Sequence, residues 1–192
     1  MHLIYLGWVK GLQTSTLAFN IVQFFPSLNH QLLSLILGKA SLDLRISIFF
    51  SNYLIDRRTQ YMWNNFIFPF FRADVGVEQG FALSPILSAL YISLIFHIFE
   101  KRAKNLILNI HISYLSFVDD GLFISQEKTY EKSNTLLFCS YNIITSLFNQ
   151  FSLMIEHRKS EVFHFSRLTR TFNPPPLDLS PLKELLLWLK DT

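Results

Sequence analysis

Apolar and polar positions along the chain change period several times, and each change marks an element. Thr14 to Val22 is rich in β-formers and reads as a strand, ended by Pro26. Ser27 suits the N-cap of a helix over 28–37 that Gly38 closes, and Ser41 suits the cap of a second over 42–55, with apolar residues at 44, 46, 48, 49 and 53. Residues 57–72 read as a hairpin around Asn64-Asn65, a pair tolerant of positive φ. A loop with Gly76 and Gly80 follows. Ser84 as cap and Pro85 as first residue then open a long helix to Lys101–Lys104. That helix is apolar all round, which predicts burial on every side. Ile110, Ile112, Tyr114 and Val118 alternate on one strand face, and Leu122 and Ile124 continue an apolar pattern beyond a tip at Asp119-Asp120. An Asp-Gly pair after a β-rich run signals a hairpin. Residues 128–151 form an amphipathic helix with Leu137, Tyr141, Ile144, Phe148 and Phe151 in line. Short strands are predicted over 152–155 and 161–165, then a proline-rich linker at 173–176 and a short helix over 182–189. Residues 1–14 carry few signals; Leu3 to Leu6 fit a short strand or a helix start. There is no internal repeat.

Composition narrows the class. A chain of 192 residues suggests one domain or a piece of one, and half of it is apolar. The net charge of +3 is compatible with a polyanionic partner without demanding one. A single cysteine, Cys139, excludes an internal disulfide and a Cys-rich zinc site, and the six histidines lack metal-ligand spacing. No secretory signal opens the chain, so an intracellular place, nucleus or cytoplasm, is expected. Residues 81–99 carry no Asp, Glu, Lys or Arg and are long enough to span a bilayer, so a small helical membrane protein is one alternative.

Candidate chemistry centres on Asp119 and Asp120. They are either plain turn residues or, since adjacent like charges at a rigid tip are unfavourable without a cation, half of a divalent metal site.

The order of motifs carries more than any one of them. Ala18-Phe-Asn-Ile-Val-Gln-Phe-Phe-Pro-Ser27 comes first, then Gly76-Val-Glu-Gln-Gly-Phe-Ala-Leu-Ser-Pro85, then Phe117-Val-Asp-Asp120, then a helix and a basic turn at Lys159. Over residues 15–166 this resembles the palm of reverse transcriptases (RNA-directed DNA polymerases), most closely those of non-LTR, LINE-like retrotransposons. The resemblance implies an α+β polymerase palm, an antiparallel sheet with helices on one face. It implies RNA-templated DNA synthesis by nucleotidyl transfer, with an RNA template, a DNA primer and deoxynucleoside triphosphates as partners, and no membrane. Two Mg2+ ions, roughly 3.5–4 Å apart, would stabilise the attacking and leaving oxygens. Asp119 would be the principal metal ligand and Asp120 its neighbour. Phe25, five residues after Asn20, would lie under the incoming sugar and exclude a 2′-hydroxyl. Gln79 and Gly80 would line the template–nucleotide pocket, and Lys159 would protonate the leaving pyrophosphate.

Three departures stand out. Asn20 occupies the position of a family aspartate and brings no charge, which should weaken metal binding and catalysis severely. Glu78 stands where many relatives carry proline, and Phe81 replaces a small residue. Only 19 residues precede Asn20, and little follows Phe165, so complete fingers and thumb are not expected. The chain therefore reads as a degenerate, truncated copy: a remnant over 1–14, a palm-like domain over 15–166, and a linker and short helix over 167–192. Loss of neighbouring subdomains predicts an exposed aromatic surface. A non-catalytic nucleic-acid-binding remnant is the other alternative, with Arg57, Arg58, Lys101, Arg102, Lys104, Arg158, Arg167 and Arg170 as candidate backbone contacts.

Overall fold

The structure is a computed structural model that describes residues 2–40, 42–106, 112–166, 176, 177 and 179. Helix α1 (His2–Val9) leads into strand β1 (Gln13–Asn20). A four-residue helix α2 (Phe24–Ser27) follows, then α3 (His30–Lys39) and α4 (Leu44–Leu54). Strands β2 (Arg58–Thr59), β3 (Met62–Trp63), β4 (Phe66–Ile67) and β5 (Phe71–Arg72) make a long ribbon. The long helix α5 (Ser84–Leu106) comes next. Strands β6 (Ile112–Phe117) and β7 (Asp120–Glu127) precede α6 (Tyr130–Gln150), a 3-10 turn (His157–Lys159) and β8 (Glu161–Phe165).

The main sheet is antiparallel with strand order β6-β7-β1-β8. Its inner face is set by β1: Leu17 and Phe19 are buried, α6 packs on β1 and β7, and α5 lies beside α6 with Phe96 and Phe99 against β6 and β7. Phenylalanine fills this layer. Phe19 lies 5.4 Å from Phe123 and 6.1 Å from Phe148 between ring centroids, and Phe96 stacks on Tyr114 at 4.3 Å. Such pairs add about 0.5–1.5 kcal/mol each beyond the area they bury. The expected stripe on α6 is buried at Leu137, Tyr141, Ile144 and Phe148. Helix α1 lies across the other sheet face, far from the β6–β7 tip. Its Leu3 carbonyl accepts from Gln126 Nε2 at 2.6 Å, and Gly7 sits against Thr14 and Gln126, whose side chains a Cβ there would crowd.

Several expectations are corrected. α3 is capped by Asn29, whose side chain accepts from Leu32 N–H at 3.0 Å, and not by Ser27, which ends α2. α4 is capped by Asp43, which accepts from Arg45 N–H at 2.8 Å; Ser41 is outside the described residues. On α4, Leu44, Ile46, Ile48 and Phe49 are exposed, while Phe50 and Leu54 are the buried anchors, because apolar residues lie on several sides of the helix among Arg45, Ser47, Ser51 and Asn52 and do not mark which face packs. α5 is not buried on every side: Leu87, Tyr91, Ile95 and Phe99 form its inner stripe and Ile86 is half exposed. Among the described residues no helix is long and apolar enough to cross a membrane. Ser84 does not cap α5; its hydroxyl donates to the Glu78 carbonyl. Residues 152–155 form only a single bridge, Ile155 to Ile21. The 57–72 hairpin turns at Asn64 and Asn65, both at positive φ, as expected. The helix proposed over 182–189, most of the proline linker, Ile110, Arg167 and Arg170 fall outside the described residues.

Candidate active site

The site is built where β1 ends beside the β6–β7 turn. Pairing puts Asn20 opposite Asp120 and Phe19 opposite Gly121. Phe117 pairs with Asp120, so the two-residue turn is Val118-Asp119, and Asp120-Gly121 already belongs to β7. The Asp-Gly pair is therefore not the turn. Gly121 is required for another reason: a Cβ there would fall on the buried Phe19 ring. Val118 adopts φ +56°. For a β-branched residue that conformation is strained by about 1–3 kcal/mol, so surrounding contacts must hold the tip in place.

Those contacts converge on Asn20. Glu156 N–H donates to the Asn20 carbonyl and Ile21 N–H donates to the Asp119 carbonyl, both at 2.8 Å. The side-chain amide of Asn20 then reaches both acids, with Nδ2 at 3.3 Å from Asp119 Oδ2 and 3.3 Å from Asp120 Oδ1. Turned the other way, the amide would set its oxygen against two carboxylates, so the donor orientation is favoured.

Lys159 joins the same region. It lines a cavity of about 300 Å³ with Ala18, Asn20, Leu115, Phe117, Asp120 and Leu122. Its ammonium pairs with Glu156 at 3.4 Å across the solvent-exposed 3-10 turn. That turn is anchored from α6, where the Tyr141 hydroxyl bonds His157 Nδ1 at 2.7 Å and Ser160 Oγ at 3.1 Å. Burial pushes the Tyr141 phenol above its ordinary range, so it stays protonated as an anchor.

Phe25, Gln79 and Gly80 do not line this cavity. Phe25 is half-buried in α2, and its carbonyl accepts from Val77 N–H at 2.9 Å. Gly76 N–H donates to the Leu28 carbonyl at 2.7 Å, so the glycine loop is laced to the segment after β1. Gly76 has φ +82° and touches the Pro26 backbone; Gly80 has φ +88° and open space around it. Gln79 and Gly80 are exposed at the loop's end. The two unusual residues of the loop each have a partner. Glu78 pairs with Arg57 at 2.8 Å, and Phe81 stacks on Tyr53 with centroids 5.2 Å apart. The Arg57 guanidinium also lies over the Tyr53 ring at 4.8 Å.

Magnesium wants hard oxygen ligands in near-octahedral array. Asp119 and Asp120 supply two carboxylates, but the third position presents amide hydrogens. Among the described residues no group of three or more His, Cys, Asp or Glu side chains is arranged to hold a metal ion. This donor set does not fit a pair of dications. Sequence reading missed Leu115, Phe117 and Leu122 as the cavity floor, because the strand is apolar on both faces and only the register separates them.

Comparison with known proteins bears on the family and the fold. Residues 8–183 match the family described as Reverse transcriptase (RNA-dependent DNA polymerase). A search of curated proteins returned no match. Among solved structures the fold is similar to telomerase from Candida tropicalis. The apo form truncated from its C-terminal domain matches with a TM-score of 0.61 and 14% identity, over 88% of this chain and 35% of that one. The form in complex with a TWJ fragment of telomeric RNA matches with a TM-score of 0.61 and 16% identity, over 86% of this chain and 29% of that one. The chain thus spans about a third of the length of those telomerase chains. At these identities the likeness is one of fold, a mixed helical and antiparallel-sheet polymerase domain. With the profile match covering most of its length, the chain belongs to the reverse transcriptase (RNA-dependent DNA polymerase) family.

Proposed function

We propose that this chain is a reverse transcriptase palm of non-LTR, LINE-like retrotransposon descent whose nucleotidyl-transfer site no longer works. The observation that carries the reading is the position of Asn20, in register with Asp120 and with its amide against both hairpin carboxylates. Templated DNA synthesis needs concentrated negative charge at this point to hold two dications, and the neutral side chain removes one unit of it. Lys159, in the role of acid for the leaving pyrophosphate, lines the same cavity. The match to a telomerase determined with an RNA fragment supports RNA as the template class. A DNA primer and deoxynucleoside triphosphates complete the substrate set. In the ancestral site Phe25 would select the sugar and Gln79 with Gly80 would face the template–nucleotide pair, although none of the three lines the Lys159 cavity here.

The test compares primer extension by this chain and by Asn20→Asp, each grafted between family fingers and thumb. Only the aspartate form is expected to incorporate nucleotides with magnesium. Equal incorporation by both would refute the claim that Asn20 disables the site.

A further inference from the structure

We propose that the hairpin tip has replaced a dependence on divalent metal with an internal amide clamp. In it Asn20 Nδ2 holds Asp119 and Asp120 together in the absence of any cation. This deepens the reading of Asn20 as the family's aspartate position and rests on that reading for its choice of variant. Two adjacent carboxylates at a strained turn repel each other unless positive charge lies between them. In relatives that charge would come from metal. Here one amide nitrogen sits 3.3 Å from an oxygen of each acid.

The clamp is built rather than incidental. Asn20 and Asp120 are register partners on neighbouring strands, and the Asn20 carbonyl is fixed by Glu156 N–H at 2.8 Å. These contacts fix the Asn20 backbone beside the hairpin, so its side chain reaches both acids without any shift of the strand pair. The ammonium that lines the adjoining cavity, Lys159, is already paired with Glu156. A divalent ion entering between the carboxylates would have to displace the amide hydrogens, so binding carries an opposing term that an aspartate at this position would not impose. Both hydrogen bonds are long, and the one to Asp120 is exposed, so the clamp is of modest strength.

Thermal unfolding followed by circular dichroism tests the proposal, at one pH and matched ionic strength, in chelator and in millimolar magnesium. Wild type is expected to melt at the same temperature in both. Asn20→Asp puts three carboxylates at the tip; it should melt about 2–4 °C lower in chelator and recover in magnesium. The double variant Asn20→Asp/Asp120→Asn restores one amide and two acids on the same strand pair, and should melt near wild type without a magnesium response. If Asn20→Asp does not fold in chelator, the double variant decides: a wild-type-like midpoint supports the clamp, and failure to fold overturns it. A wild-type midpoint that rises with magnesium as much as that of Asn20→Asp also overturns it, as does an Asn20→Asp midpoint in chelator equal to wild type. Nucleotide incorporation is not read, so the polymerase reading can fail while the clamp stands.

Discussion

Gly121→Ala separates packing from turn chemistry at the β6–β7 hairpin. Gly121 does not have positive φ, so the backbone itself admits alanine. In an unconstrained site that exchange would stabilise by about 0.4–1 kcal/mol, by restricting the unfolded chain. Here the new methyl would fall on the Phe19 ring. Phe19 is 3% exposed and ringed by Phe123, Tyr141 and Phe148, so it has no free space to enter. Forcing a methyl into such a core destabilises by about 1–3 kcal/mol. The steric term exceeds the entropic one, and a net loss of about 1–2 kcal/mol is expected, or roughly 2–8 °C in midpoint for a chain of this size. Urea and thermal unfolding of wild type, Gly121→Ala, Phe19→Leu and the double variant form a cycle. Phe19→Leu alone destabilises, but it makes room, so the pair should couple favourably by about 1 kcal/mol. Additive behaviour, or a Gly121→Ala variant as stable as wild type, would refute the assignment of Gly121 to packing against Phe19.

Other consequences follow from the same contacts. Gly76→Ala should lose more stability than Gly11→Ala, since both have positive φ but only Gly76 meets the Pro26 backbone, and denaturant midpoints will rank them. For Gly11→Ala the left-handed conformation alone costs about 1–2 kcal/mol. Tyr91 donates to the Phe151 carbonyl at 2.8 Å, so Tyr91→Phe should lower the midpoint by an amount equivalent to about 1 kcal/mol. Burial pushes the Tyr91 phenol up to about 12, and alkaline absorbance titration should show a tyrosine that ionises late and is lost in that variant. Burial also holds His164 below the ordinary histidine value, beside Ser15 and Tyr130. Its neutral form is the one the fold accepts. The unfolded chain binds the proton first, so its contribution is complete above the unfolded pKa of about 6.5 and is lost progressively as pH falls from there through the lower folded value. Wild type should therefore lose more stability than His164→Gln between neutral and mildly acidic pH; equal slopes would contradict this.

Local rules made most elements readable from the sequence. The β1 strand, the Asn64-Asn65 turn, the amphipathic stripe of α6 and the order of motifs follow from period, turn chemistry and spacing, which involve residues near one another in the chain. Helix caps and faces were less readable, because several Ser, Asp and Asn residues compete for each cap and the apolar residues of α4 are spread over several of its sides. Of the site, the sequence determined which residue types were available: two adjacent acids, an asparagine at the end of the first strand, and a lysine downstream. Tertiary structure alone decided that Asn20 faces Asp120 across a strand pair, that its amide spans both acids, that Lys159 shares their cavity, and that the turn sits one residue before Asp120. Those facts depend on register between strands about a hundred residues apart. Register is set by which side chains fit together in the core, here Phe19 over Gly121, and no local pattern encodes that fit.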